Sequence, residues 1–246
     1  SAGTGKKTVY VLTSIYNDSK KASNLYKTYS YNNNGLVKSG SMGSGAVRYE
    51  YTYNKKNQLT QFRRSLNQWT TCDYTYNKKG QITKAVCTYR NLKTNKLELK
   101  GFVSSFAYNK NGTLKKETAK KGKLVCTFKY TYDAKGNVSK RTSTDEYGKT
   151  ISTYKYDKYN NLSSVTTKGP DYSSKATIKN TYKKGLLTKT VTTVKEGDYK
   201  WSSVNYYEYT KLKVSSSLAE QISAQQASLL NEYYNVTIPV NNYDGM

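Results

Sequence analysis

Few side chains in this 246-residue chain are placed to do acid–base or nucleophilic chemistry. Histidine is absent, which removes the usual base of a catalytic triad and the commonest metal ligand. The carboxylates do not replace it. Asp133 and Asp157 stand three residues before Gly136 and Asn160, the arrangement of a tight turn in which the Asx side chain bonds its own backbone. Asp145, Glu146, Asp171 and Asp198 fall in other turn-forming stretches, and no pair recommends a glycosidase dyad. Glu50 and Asp73 sit beside recurring tyrosines and read as ladder partners of lysines on neighbouring strands. Three cysteines, Cys72, Cys87 and Cys126, show no C-x-x-C spacing, so neither a disulfide framework nor a zinc site is supported. Cys72 and Cys87 could bridge if two neighbouring strands place them opposite one another, but small buried thiols on strands are the commoner case. The expectation is a non-enzymatic protein with no catalytic residue, metal or cofactor.

The residues that dominate are lysine and tyrosine. The 41 basic side chains face 16 acidic ones, for a net charge of +25. Only Arg48, Arg63, Arg64, Arg90 and Arg141 are arginines. Lysine spread along a chain gives a diffuse positive field rather than bidentate readout of bases or phosphates. Leu, Ile, Val and Phe make up about a sixth of the residues, which alone would point to disorder. The 27 tyrosines and only two prolines point the other way. No run approaches a membrane-spanning helix. The first residues, Ser1 to Lys7, are small, polar and basic, without the apolar core of a secretory leader; they read as a mature end left by processing.

The tyrosines recur in a unit: aromatic-x-Tyr-[Asn/Asp]-x-x-[Gly/Asn]-x-aliphatic. It runs Tyr29-x-Tyr31 to Gly35 and Val37, Tyr51-x-Tyr53 to Asn57 and Leu59, and Tyr74-x-Tyr76 to Gly80 and Ile82. It continues as Phe106-x-Tyr108 to Gly112 and Leu114, Tyr130-x-Tyr132-Asp133 to Gly136 and Val138, and Tyr154-x-Tyr156-Asp157 to Asn160 and Leu162. A shortened copy runs from Tyr182 to Gly185 and Leu187, and Tyr207-Glu-Tyr209 is a decayed one. Asx followed by Gly makes the turn, because Gly takes positive φ without a Cβ clash. Both tyrosines share one parity and therefore one strand face. A second turn lies midway between copies, as at Lys121-Gly122 and Glu196-Gly197. Each repeat thus holds two strands, and the tyrosines are expected to stack as a ladder on one face.

The expected fold is all-β: a long antiparallel meander of β-hairpin repeats, about 14 to 16 strands, with one C-terminal helix. So many strands in one open sheet must curl or flatten, so the sheet is expected to be an open curved or single layer, spiral or half-shell. The chain divides into an N-terminal strand and connection (1–28), the hairpin-repeat sheet (29–214) and a helix with extended tail (215–246). Ser217 and Glu220 form a capping-box pattern, and Leu218, Ile222, Leu229 and Tyr233 follow at helical spacing. That predicts a helix from Ser217 to Tyr234 and an extended Val236–Val240.

Tyr132-Asp133-Ala-Lys-Gly136-Asn-Val138 and Tyr156-Asp157-Lys-Tyr-Asn160-Asn-Leu162 resemble the bacterial YD repeat of Rhs-type proteins, over roughly Tyr29 to Tyr209. The resemblance implies an exported or surface-associated bacterial hairpin array. A weaker similarity is to aromatic-Gly repeats of cell-wall-binding modules. Composition and resemblance together lead to one expectation. The chain works outside the cell or on its surface as a structural or adhesion-type module, and its cationic surface binds an anionic cell-wall polymer or acidic glycan. A glycan-binding module using exposed aromatics is the alternative. Single-stranded nucleic acid, stacked on tyrosines beside lysines, is a lesser one.

Overall fold

The computed structural model describes residues 5–231. Sixteen strands follow in chain order: β1 (Lys6–Asn17), β2 (Leu25–Tyr31), β3 (Val37–Met42), β4 (Val47–Tyr53), β5 (Leu59–Ser65), β6 (Trp69–Tyr76), β7 (Ile82–Arg90) and β8 (Leu97–Tyr108). Then come β9 (Leu114–Lys121), β10 (Leu124–Tyr132), β11 (Val138–Asp145), β12 (Gly148–Tyr156), β13 (Leu162–Lys168), β14 (Ser173–Lys183), β15 (Leu186–Glu196) and β16 (Tyr199–Ser215). Every strand pairs antiparallel with its sequence neighbours, and β1 pairs with β16 to close a barrel.

Closure overturns the expected open curved, spiral or single-layer sheet. Two physical causes lie in the register. First, each motif turn is followed by a bulge at one fixed place. Tyr132 faces Val138 while Thr131 faces Lys140, so Ser139 is extra. The same slip follows Tyr31, Tyr53, Tyr76, Tyr108, Tyr156 and Tyr182. A bulge adds local twist and bend, and repeated at one height around the sheet it curves the whole array. Thr60, Thr83 and Thr188 occupy bulge positions and donate their hydroxyls to the carbonyls of Thr52, Thr75 and Thr181. Second, β1, in the segment read as an N-terminal strand and connection, runs beside β16 from Lys6↔Ser215 to Asn17↔Asn205. It carries no motif, so nothing in the repeat announces this partner.

The motif turns form as their residues dictate. Asn54, Asn77, Asp133 and Asp157 each accept two backbone amides of their own turn. Asn57 and Asn160 take positive φ where other copies use Gly. Burial along β10 alternates: Cys126, Phe128 and Tyr130 are buried while Lys129 and Thr131 are exposed. The tyrosine face therefore points inward and the lysine face outward. One core cluster fills the lumen side of β4 to β14 with Phe62, Tyr74, Phe102, Phe128, Tyr130 and Tyr154 among its members. Sixteen strands would otherwise enclose a wide water-filled channel.

Helix α1 (Ala219–Leu230) follows a 3-10 turn at Ser216–Leu218. The capping box does not form. Leu218 occupies the N-cap without a side-chain bond, and the Ser217 hydroxyl pairs with Ser215 instead. The helix enters the barrel from the motif-turn end. Ile222 packs with Val11, Leu36 and Val214 at that mouth, and Leu229 packs deeper among Leu12, Ile15, Tyr29, Val37, Leu187 and Tyr207. Tyr233 and Val236–Val240 lie outside the described residues.

Candidate functional site: clamped rim, lumen and cationic wall

The repeat residues singled out in the sequence converge on one rim of the barrel. At that rim, strands joined by a second turn part company, each heading into its own motif turn. Between β3 and β4 the last paired residues are Ser39 and Glu50. Just beyond, the Tyr53 hydroxyl donates to the Val37 carbonyl at 2.7 Å. The same clamp recurs from Tyr76 to Leu59, Tyr108 to Ile82, Tyr132 to Leu114, Tyr156 to Val138, Tyr209 to Leu187 and Tyr31 to Leu12. At β13 and β14 the role passes to Asn180, whose amide reaches the Leu162 carbonyl at 2.9 Å. Tyr182 is thereby released and donates to Asp157. Every split in the rim is closed by a side-chain bond, and the belt runs around the full circumference.

The second tyrosine of the motif thus acts through its hydroxyl. Ring contacts include Tyr49 and Tyr51 with Phe62, and Tyr159 with Tyr182. The first aromatics, Tyr29, Tyr74, Tyr130 and Tyr154, are buried in the lumen wall, while Tyr51 and Phe106 are half-buried. Gly35, Gly80, Gly112, Gly136 and Gly185 hold positive φ in their turns.

Burial pushes the phenols up. Tyr31, Tyr76 and Tyr132 each rise to about 12. Tyr53 rises further, against a hydrogen bond from Gln225 that pulls it down. Asp157 is partly desolvated, yet hydrogen bonds from Tyr182, Asn180 and two turn amides hold its carboxyl below the usual range. Asp133 is also held low, chiefly by the Asn137 amide. Both acids accept the amides of their own turns, and Asp157 also binds Asn180 and Tyr182 on β14.

Glutamines on α1 tie the helix to the belt. Gln226 accepts the Leu12 amide at 2.7 Å and donates to the Tyr31 hydroxyl at 3.1 Å. Gln225 accepts the Val37 amide at 2.7 Å and donates to Tyr53 at 2.8 Å. Gln221 donates to the Asn57 carbonyl at 2.6 Å. The helix therefore caps the belt over β1 to β4, using side chains that hydrophobic periodicity does not flag.

The lumen keeps cavities on both sides of the helix. A cavity of about 710 Å³ lies between β13–β16 and β1–β5, with Leu229, Leu230 and Asn231 at its inner end. Its wall combines Trp201, Tyr26 and Tyr207 with polar groups such as Asn180, Thr192 and Asn205 and with the charged Asp18, Lys27 and Arg64. On the packed side, Glu117 is fully buried opposite Phe106 and Phe128. Arg141 lies nearby with its guanidinium 4.5 Å from the Phe128 ring. Neither residue stood out in the sequence; the inward parity of Glu117 becomes visible only with the register.

Lysine and threonine recur along the outer wall. Lys175 faces Lys195, which faces Lys200, in one row across β14, β15 and β16. Lys116 faces Lys129 across β9 and β10. Cys72 and Cys87 are register partners on β6 and β7 and form a disulfide with Cα atoms 4.2 Å apart. Cys126 is free and buried. No cluster of metal-binding side chains occurs among the described residues.

No family model matches the sequence, and no curated protein matches it. Among solved structures, the fold is similar to a porin-like protein from Bacteroides uniformis, with 13% identity, a TM-score of 0.44, and coverage of 81% of this chain and 98% of that one. It is also similar to TcdB2-TccC3 lacking its hypervariable C-terminal region, with 15% identity and a TM-score of 0.35. That match covers 80% of this chain and 11% of the other.

Proposed function

We propose that the protein is a non-enzymatic, extracellular or surface-associated bacterial module of the YD-repeat type whose outer wall binds an anionic polymer. The observation that carries this reading is the like-charge register. Like charges directly opposite one another destabilise a sheet, yet Lys175, Lys195 and Lys200 stand in one cross-strand row. A local rule broken without a compensating contact marks function more often than stability. A row of cations at strand spacing meets repeating negative charge on a polymer, and weak contacts then add through avidity.

Two further observations support the reading. The outer wall suits water: a lipid-facing barrel needs an apolar band, and each lysine at mid-membrane costs about 2–4 kcal/mol, whereas Lys129, Lys140, Lys155, Lys175 and Lys179 are exposed on this wall. The cross-strand disulfide belongs to an oxidising compartment. The test is binding to isolated cell walls and to a soluble polyanion over a salt series. Attraction screened over about 8 Å at physiological salt should weaken steeply as salt rises. Salt-insensitive binding would refute it.

The lumen supports a second reading as a carbohydrate-end pocket, since aromatic faces beside amides, hydroxyls and a few charged side chains suit a sugar ring. Trp201 is half exposed at this wall. Salt-insensitive binding of neutral oligosaccharide, lost in Trp201→Ala, would favour it.

A further inference from the structure

Three of the chain's five arginines meet on one patch of the wall, on the face of β4–β7 opposite Phe62, Cys72 and Tyr74. The register sets Ser65 beside Trp69 and Trp69 beside Arg90. In the next row Glu50 faces Arg63, Arg63 faces Thr71, and Thr71 faces Thr88. Trp69 is only 5% exposed. The Arg63 guanidinium lies 3.9 Å from its ring centroid and that of Arg48 lies 5.2 Å away. Burial, and the positive charges of Arg90 and Arg48, weaken the hold of Arg63 on its proton against the opposing pull of Glu50 and Asp73.

The patch has donors in surplus. The Thr71 and Thr88 hydroxyls and the Arg63 Nε are buried without a hydrogen-bond partner. Glu50 approaches that Nε only to 4.0 Å, beyond hydrogen-bonding range. Unpartnered buried donors cost stability, and this chain gathers three of them in one patch whose Arg63 and Arg48 guanidiniums lie over a tryptophan ring. Elsewhere the chain meets solvent with lysine. A planar guanidinium differs from an ammonium in presenting paired N–H groups to oxyanions.

We propose that this patch is a specific oxyanion site, taking a singly charged tetrahedral ester group, phosphodiester or sulfate, carried on the polymer that the lysine wall attracts. The site rests on the polymer-binding reading and gives it an anchor point. Glu50 and Asp73 lie at its border and disfavour a dianion, which selects a diester or sulfate over a terminal phosphate. The lysine rows gather polymer from any direction, and the arginine patch fixes one of its groups.

Calorimetric titrations at physiological salt with poly(glycerol phosphate) and with dextran sulfate test this. Wild type is compared with the double variant Arg63→Gln/Arg90→Gln and with Lys175→Gln/Lys195→Gln, which removes the same charge from a distant row. Loss of charge-assisted hydrogen bonds should weaken the arginine variant about tenfold or more, well beyond the lysine variant. Because Arg63 covers Trp69, a second variant, Thr71→Val/Thr88→Val, removes the buried hydroxyls without changing charge. It should melt no lower than wild type and still bind more weakly. The polymer that loses affinity identifies the ester. Equal losses in the arginine and lysine variants, with unchanged binding in the threonine variant, would overturn the site and leave the polymer reading standing. No binding of wild type to either polymer would overturn both.

Discussion

The Tyr53 hydroxyl donates to the Val37 carbonyl at 2.7 Å where β3 and β4 separate. That carbonyl has left the ladder and would otherwise face the lumen rim unpaired. Removing one hydroxyl breaks this bond and also strips Gln225 of its acceptor. Tyr53→Phe should therefore cost about 1 kcal/mol or somewhat more in urea denaturation. Tyr10→Phe, on an exposed ring, should change nothing measurable.

Gly35 and Gly136 both hold positive φ, at +94° and +84°. A Cβ on Gly35 would stand 2.7 Å from Val214 and 2.8 Å from Ile222, whereas one on Gly136 meets open space. Gly136→Ala should show the backbone cost alone, of order 1–3 kcal/mol. Gly35→Ala should lose more and loosen α1, seen as faster amide exchange in residues 219–230.

Alkaline pH should unfold the barrel abruptly. A free phenol titrates near 10, while burial lifts Tyr31, Tyr76 and Tyr132 to about 12. Between those values the unfolded chain has released protons that the folded chain retains. The unfolded state then binds fewer protons, and stability falls as pH rises. It is fully present below pH 10. Phenolate absorbance and circular dichroism should change in one cooperative step above that point; gradual ionisation of a still-folded protein would contradict the belt.

The Cys72–Cys87 disulfide closes a span of 15 residues. The loop-entropy account gives about 3 kcal/mol for such a span. Cys72→Ser/Cys87→Ser should lower unfolding stability by up to that amount in urea, leaving the barrel folded. A larger loss, or collapse of the fold, would show that the bond does more than restrict the unfolded chain.

The turns and the shared strand face of the tyrosines were legible because they are local. Asp133 with Gly136 specifies a turn wherever it stands, and the parity of Tyr130 and Tyr132 specifies a face. Closure was not legible, because it depends on β1, which lacks the motif, and on bulges at Ser139 and its equivalents that appear only with the register. The hydroxyl belt was missed for the same reason: from spacing alone Tyr132 is an aromatic in a strand, and its partner is a backbone carbonyl on the neighbouring strand. Gln221, Gln225 and Gln226 carry no periodic signal. The arginine patch gathers residues from four strands that composition can count but not place.

The β1–β16 pairing also fixes how this array is able to change over generations. An unclosed tandem array gains or loses a unit at its ends at little cost, and its length drifts. Here each hairpin is a segment of one circumference, and strand number, tilt and stagger are linked in a closed barrel. Deleting one unit would demand a new radius, a new fit to α1 and a new closing register at once. Copy number is therefore constrained, and change is channelled into single positions such as Asn180, which makes the clamp that a tyrosine makes elsewhere.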